Sequence, residues 1–319
     1  MKLIQQWHAV RDRFRSPHKI RTTAAPLTVG AGRIMQQGQP VRLSGMSLFW
    51  TNLQPNLFDT ATVQWLADDW QIDILRVPIG IAPEGGPMSL SQAALVAKKA
   101  IDAAIKENLY VLIDWHVHDA PAEAAPWLAS LAEHYGDLPN ILYEPWNEPD
   151  PQYDWSVIRH HHERVIEQVR RHAPSALIVA GTPDHCQRLD LAAVAQIEKP
   201  NIAYALHFYA GTHRDGLRAR ARLAADAGIA MFASEWGVSE ANGDGVIDWP
   251  ETERWLTFLA EHTIGDVAWA VSAKPEACAV LTPRASIAGW SHWALTPAGR
   301  FHRARLRKLA SMPYAQSIP

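Results

Sequence analysis

Between about residue 27 and residue 310 the chain alternates short, continuously apolar runs with longer segments whose apolar positions recur every three or four residues. The short runs DILRVPIG (73–80), YVLIDWH (110–116), NILYEPWNE (140–148), ALIVAG (176–181), IAYALHFY (202–209), AMFASEWG (230–237) and DVAWAVSA (266–273) read as strands. The longer ones, near 61–70, 91–108, 123–135, 154–172, 214–227, 251–262 and 297–310, read as helices. Strands that are apolar throughout belong to a parallel sheet covered by helices. Counting one that starts near Val41 and runs through Met46 to Phe49 there are eight, and eight strand–helix units imply an α/β chain closed into a single (β/α)8 TIM barrel. An open doubly wound sheet is the competing architecture, but no Gly-rich phosphate fingerprint follows the first strand. Ahead of the barrel, LTVG (27–30) and RIMQQGQPVRLSG (33–45) predict an N-terminal β-hairpin with Gly38 in its turn. No linker divides the chain, so one domain is expected over 27–310, with an extension over 1–26 and a tail over 311–319.

The polar residues inside these runs fall at strand ends. In PNILYEPWNEPDP (139–151), Pro149 cannot donate to a ladder, so pairing should stop there with Glu148 at the strand's mouth. Arg76, His116, Asn147, His207, Tyr209, Glu235, Trp236 and Trp269 occupy similar places, and in a parallel barrel all strand C-termini open onto one face. Singly, Arg76 could be a buried ion-pair residue and His207 a core histidine. Jointly they describe a cleft. Two carboxylates in one cleft suit glycoside hydrolysis, where one gives a proton to the leaving oxygen and the other attacks the anomeric carbon or activates water. The acid must stay protonated, through burial or a neighbouring negative charge; the nucleophile must stay ionised, and Arg76 is the strand-end cation suited to hold it so. Spacing alone leaves retaining and inverting geometries open.

Composition agrees with this chemistry. Of 319 residues, 30 are basic and 33 acidic without a basic run, which gives no reason to expect a nucleic-acid or membrane partner. Trp, at 14, is twice as frequent as Tyr or Phe, and an amphipathic ring suits pyranose ligands, although most of these side chains are expected in the core. Cys186 and Cys278 allow at most one disulfide and match no zinc or redox spacing. The N-terminus has no apolar run of signal-peptide length, and no stretch is long and apolar enough to span a membrane.

An ordered series, GMSLFW (45–50), WLADDWQIDILRVPIG (65–80), YVLIDWH (110–116), ILYEPWNEP (141–149), YALHFYAGTH (204–213), FASEWG (232–237), KPEACAVL (274–281) and AGWSHWALTPAG (288–299), resembles glycoside hydrolase family 5, and in it the bacterial endo-β-1,4-glucanases. The resemblance spans about residues 27–307. It implies Glu148 as general acid/base and Glu235 as nucleophile of a retaining double displacement. It further implies that Asn147 binds the sugar 2-hydroxyl and that Arg76 and Tyr209 hold Glu235. His116 and His207 would line the subsite where the bond breaks, and Trp269 would lie under that sugar. Trp50, Lys274 and Glu276 would grip the next sugar. No metal or other cofactor is implied, and a monomer acting on a β-glucan is expected. The family also implies secretion or a periplasmic location, with cytoplasmic residence the alternative given this N-terminus.

This chain departs from the family's pattern in places. Ser47 is followed directly by Leu48, Phe49 and Trp50, where relatives carry an extra histidine and glycine. His185 stands near where relatives place a stacking tryptophan on the leaving-group side, which predicts a weaker grip there. The loop after His116 is short. His116, His118 and Asp114 imitate a metal pair, but no partnering histidines recur with suitable placement. His160, His161 and His162 are expected on a solvated helix face, and Asp244 and Asp248 in a plain polar loop rather than a calcium site. The leading expectation is an endoglucanase acting on cellulose or mixed-linkage β-glucan. Its alternatives are another family 5 specificity, such as mannanase or xyloglucanase, and a silent glucan-binding protein.

Overall fold

The barrel is entered through three short antiparallel strands, β1 (Leu27–Gly30), β2 (Arg33–Gln36) and β3 (Gln39–Pro40), rather than one hairpin. Ala31–Gly32 and Gln37–Gly38 each place two consecutive residues at positive φ, the conformation of two-residue hairpin turns, so the chain reverses twice where the sequence pattern showed one turn. The structure, a computed structural model, describes residues 24–80, 88–119, 123–136 and 138–312. Most of the expected N-terminal extension, part of the short loop after His116 and all but the start of the C-terminal tail lie outside them.

The eight expected barrel strands all form. They are β4 (Ser44–Leu48), β5 (Ile74–Ile79), β6 (Tyr110–Trp115), β7 (Ile141–Glu144), β8 (Leu177–Ala180), β9 (Ile202–Tyr209), β10 (Met231–Gly237) and β11 (Gly265–Val271). They pair in parallel in chain order, and β11 returns to β4 to close the barrel. Closure brings β4 and β5 very near at Gly45, where a Cβ would stand 1.8 Å from the Ile74 carbonyl oxygen, so only glycine fits. Three of the helices between the strands begin on side-chain caps: Asp59 accepts from the Ala61 amide, Ser89 and Gln92 make a reciprocal box, and Asp248 accepts from the Glu251 amide.

Strand alternation sorts the interior into layers. Ile74, Leu112, Leu142, Ala205 and Phe232 belong to one apolar cluster with Leu27 and Ile34 of the small sheet, which seals the barrel floor. Two residues further along the same five strands stand Arg76, Asp114, Glu144, His207 and Ser234, all buried. The intervening residues Leu75, Ile113, Tyr143, Leu206 and Ala233 join the larger core beneath the helices.

Two expectations are corrected by this packing. The β7 ladder ends at Glu144, four residues before Glu148, because Pro145 has no N–H to give. The chain then rejoins β6 from its loop, with the Asn147 amide donating to the Trp115 carbonyl (3.0 Å) and the Glu148 amide to Val117 (3.3 Å). The helix Trp155–Val169 does not turn its histidines to solvent as a set. His162 is buried against the Gly181 carbonyl (2.9 Å), and the His161 ring packs edge-on to Trp146.

Candidate active site

Arg76 is the hub. On β5 and fully buried, it donates from Nε to Glu144 (2.7 Å), from Nη1 to Glu235 Oε2 (2.8 Å) and from Nη2 to Asn147 Oδ1 (2.5 Å), and it pairs through Nη2 with Asp114 Oδ2 (2.9 Å). Burial alone would push its guanidinium toward neutrality, but the carboxylates of Asp114, Glu144 and Glu235 outweigh it and raise its pKa further. Burial likewise pushes Glu144 up, yet Arg76, the nearby His207 and the hydrogen bond from Ser234 bring it down to about 2. Asp114 is driven upward by burial despite Arg76. Its Oδ2 also accepts from His116 Nδ1 (2.6 Å), while burial and Arg76 lower His116 to about 3 and keep that ring neutral.

Glu235 ends in two donors. Arg76 Nη1 binds Oε2 and the Tyr209 hydroxyl binds Oε1 (2.8 Å). Tyr209 is positioned by what is missing opposite it, since a Cβ on Gly237 would meet its ring at 2.3 Å. Burial and the Glu235 charge raise the Tyr209 pKa, so the phenol remains a donor. Trp236, the next strand-end residue, does not face the cleft. The β10 register shifts around it, and it packs on Phe208 with its indole N–H bonded to Asp266.

Glu148 sits differently. His207 Nδ1 is 2.9 Å from its Oε1, and His207 Nε2 lies 3.0 Å from Ser234 Oγ, which donates to Glu144. Burial would lower His207, but the carboxylates of Glu144, 3.6 Å away, and of Glu148, hydrogen-bonded to it, raise it to about 10. Burial would raise Glu148, but the His207 bond and charge lower it to about 2. In the free protein the proton of this pair therefore rests on His207. A carboxylate oxygen of Glu148, one of Glu235 and a His207 nitrogen all lie within 4.8 Å of one another.

Aromatic rings extend the cleft. His116 stacks on Trp269 (5.1 Å, 7°) and meets Trp50 edge-on (4.5 Å, 87°), and Trp269 contacts Phe49. Lys274 lies over Phe49 (5.6 Å) and pairs with Glu276 (2.5 Å), whose Oε1 is buried without a hydrogen-bond partner among the described residues. Trp50 and the Lys274–Glu276 pair are thus linked through the Phe49–Trp269–His116 chain of rings. Asp114, His116 and His118 do not converge as ligands, since His118 turns toward Glu148 Oε2 (3.6 Å). Two groups among the described residues could hold a metal, His118–Glu148–His185 and Glu148–His207–Glu235. Asp248 is spent on its helix cap and on Arg214, and Asp244 accepts from the Ala277 amide. Cys186 and Cys278 are both free and buried, and Cys186 Sγ donates to the Asn147 carbonyl (3.0 Å).

A family model described as Cellulase (glycosyl hydrolase family 5) matches residues 34–275. The chain belongs to glycosyl hydrolase family 5. Within family 5 it is 38% identical over 267 residues to Endoglucanase Z of Dickeya dadantii, covering 81% of this chain and 62% of that protein. It is 35% identical to Endoglucanase A of Evansella cellulosilytica, covering 86% and 58%. The chain thus spans about three fifths of the length of these curated relatives. A solved structure from Cytophaga hutchinsonii superposes with a TM-score of 0.87 at 36% identity, over 89% of this chain and 95% of that one. The catalytic domain of Thermobifida fusca endoglucanase Cel5A, solved in complex with cellotetraose, superposes at 0.82 and 28% identity, over 89% and 98%.

Reading the sequence missed Glu144, Ser234 and the support from Cys186, and it saw Asp114 only as part of a metal imitation. Glu144 lies in an otherwise apolar strand. The phase that aligns it with Arg76 two strands away was the available signal.

Proposed function

We propose that this chain is a retaining endo-β-1,4-glucanase that cuts internal bonds of cellulose or mixed-linkage β-glucan. The observation that carries the proposal is the approach of Glu148 and Glu235 carboxylate oxygens to within 4.8 Å at the open end of the barrel. Retaining enzymes hold their two carboxyl groups about 5 to 5.5 Å apart, whereas inverting ones need about 6.5 to 9.5 Å to admit a water. Glu235, held by Arg76 and Tyr209, attacks the anomeric carbon. Glu148 protonates the departing glycosidic oxygen, taking its proton from His207 Nδ1 along the 2.9 Å bond already present. In the second step Glu148 accepts a proton from water, and that water's oxygen displaces Glu235 from the sugar. Asn147 accepts from Arg76 through Oδ1, which leaves its amide hydrogens to bind the sugar 2-hydroxyl. Trp269 and Trp50 supply ring faces for the sugars, and Lys274 with Glu276 supplies charged contacts beside them. The names of the curated relatives and the cellotetraose bound to the Thermobifida domain support a β-glucan as substrate.

The test is reducing-sugar release from carboxymethylcellulose, barley β-glucan, xyloglucan and mannan, with Glu235→Gln run in parallel. The glucans should be cut and the variant should not cut them. Preference for mannan or xyloglucan would overturn the specificity, and a variant as active as the parent would overturn the mechanism.

A further inference from the structure

Three side chains on the leaving-group side of the cleft meet in a way the reaction does not require. His118, Glu148 and His185 come from the segments after β6, β7 and β8, and each offers a donor atom within 4.8 Å of the other two. His118 Nδ1 is 3.6 Å from Glu148 Oε2, too far for a hydrogen bond, and this is the oxygen that His207 leaves free. The two imidazoles lie 5.9 Å apart at 64°, and Asp150 Oδ1 stands 3.3 Å from His185 Nε2.

Neither histidine is a loose surface group. Trp50 lies over the His118 ring (6.3 Å, 28°). His185 is fixed through its backbone, whose amide donates to the Pro149 carbonyl (3.1 Å), and it occupies the middle of a left-handed turn in which Asp184, His185 and Cys186 have φ of 58°, 54° and 61°. Residues with side chains persist in that conformation when their surroundings hold them, and here the Cys186 Sγ bond to Asn147 does so. Both rings nevertheless remain about one-third exposed, at 29% and 35%, so a solute can reach them.

We propose that His118, His185 and Glu148 bind one transition-metal dication, Zn²⁺ or Cu²⁺, and that its binding silences the enzyme by occupying the free oxygen of Glu148. Two imidazoles and one carboxylate, with room for water, match zinc and copper, whereas magnesium and calcium take oxygen ligands. Metal–ligand bonds of about 2.0 to 2.1 Å bring donors to within roughly 3.5 Å of one another, a closure that small rotations of these partly exposed side chains supply. Asp150 adds a carboxylate that can orient a ligating imidazole. The binding half of the proposal rests on geometry alone; the silencing half rests on Glu148 acting as the acid/base.

Calorimetric titration of tag-free protein with ZnCl2, CuCl2, MgCl2 and CaCl2 tests the site. The parent should take up one equivalent of zinc or copper and none of the others. His118→Gln and His185→Gln, which keep side-chain bulk, should each weaken zinc binding at least tenfold. Equal affinity in parent and variants, or no stoichiometric uptake by the parent, overturns the site. Glucan hydrolysis is then followed against zinc concentration, each protein being scaled to its own metal-free rate. Half-inhibition should fall at the parent's Kd, shift at least tenfold upward in both variants and reverse with EDTA. Zinc that binds without slowing hydrolysis overturns the silencing role while leaving the site standing. A parent without hydrolytic activity would count against the proposed function, and the titration would still decide the site.

Discussion

Glu235 and Glu148 approach within 4.8 Å, yet the protein treats them in opposite ways. Around Glu235 everything is fixed: Arg76 is itself pinned by Glu144, Asn147 and Asp114, and Tyr209 is seated against Gly237. Around Glu148 the partners are histidines, one bonded and buried on β9 and two at a distance on segments partly open to solvent. A nucleophile needs a constant charge and a constant direction. An acid/base must gain and lose a proton in each cycle, which a neighbour that can itself carry the proton makes easy.

The largest effect should come from separating the two glutamates chemically. Glu235→Gln is expected to lower kcat by about 10⁴-fold or more on every substrate, since no other group can form the covalent bond. Glu148→Gln should lower it by about 10² to 10⁴-fold on glucan but far less on an aryl β-cellobioside whose leaving group needs no proton. Stopped and continuous assays on both substrates measure this, and equal losses on the aryl substrate would erase the distinction. Next in size, Glu144→Gln removes one carboxylate from Arg76. It is expected to cost about 3 to 5 kcal/mol in denaturant unfolding, because a buried charge is left under-compensated.

The third prediction concerns pH. The Glu148–His207 pair needs one proton, and His207 holds it up to about pH 10, so kcat/KM should persist into alkaline solution and fall near there. In His207→Gln, Glu148 must hold the proton unaided, and the alkaline limb should move down toward about pH 7. Stability follows the same group. A histidine raised from about 6.5 to about 10 contributes fully below 6.5 and loses its contribution as pH rises through 10, so the parent's thermal midpoint should decline over that window and the variant's should not. Glu144 has the opposite sign: held at about 2, it contributes fully above about 4.3 and loses its contribution as pH falls toward 2. The smallest effect is at His185→Ala, where product lengths from cello-oligosaccharides should shift with a rate change below about tenfold. An unchanged product ladder would remove His185 from the leaving-group side.

Much of this was legible beforehand, and the exceptions share a cause. Eight continuous apolar runs define a parallel barrel, and the barrel then gathers Arg76, His207, Glu148 and Glu235 onto one face without any contact being known. Glu144 escaped because a single glutamate within ILYE reads as an outlier until strand pairing sets it opposite Asp114. Trp236 was assigned to the cleft because it stands beside Glu235 at a strand end, although it packs on Phe208 where the β10 register shifts. His162 was sent to solvent on the character of its neighbours, although its nitrogen caps the Gly181 carbonyl. Each depends on register or on a partner distant in sequence, which local periodicity does not carry.

The layer of charge two residues above the apolar floor also bears on how the barrel assembles. A fragment ending after β7 would hold Arg76 with Asp114 and Glu144 but would lack Ser234, which donates to Glu144, and Glu235, which accepts from Arg76. Burying charged groups without those partners is costly, so partial sheets gain little by closing over them. The groups proposed to cut glucan thus act as a toll on incomplete barrels, and folding and competence for chemistry should arrive together in one cooperative step.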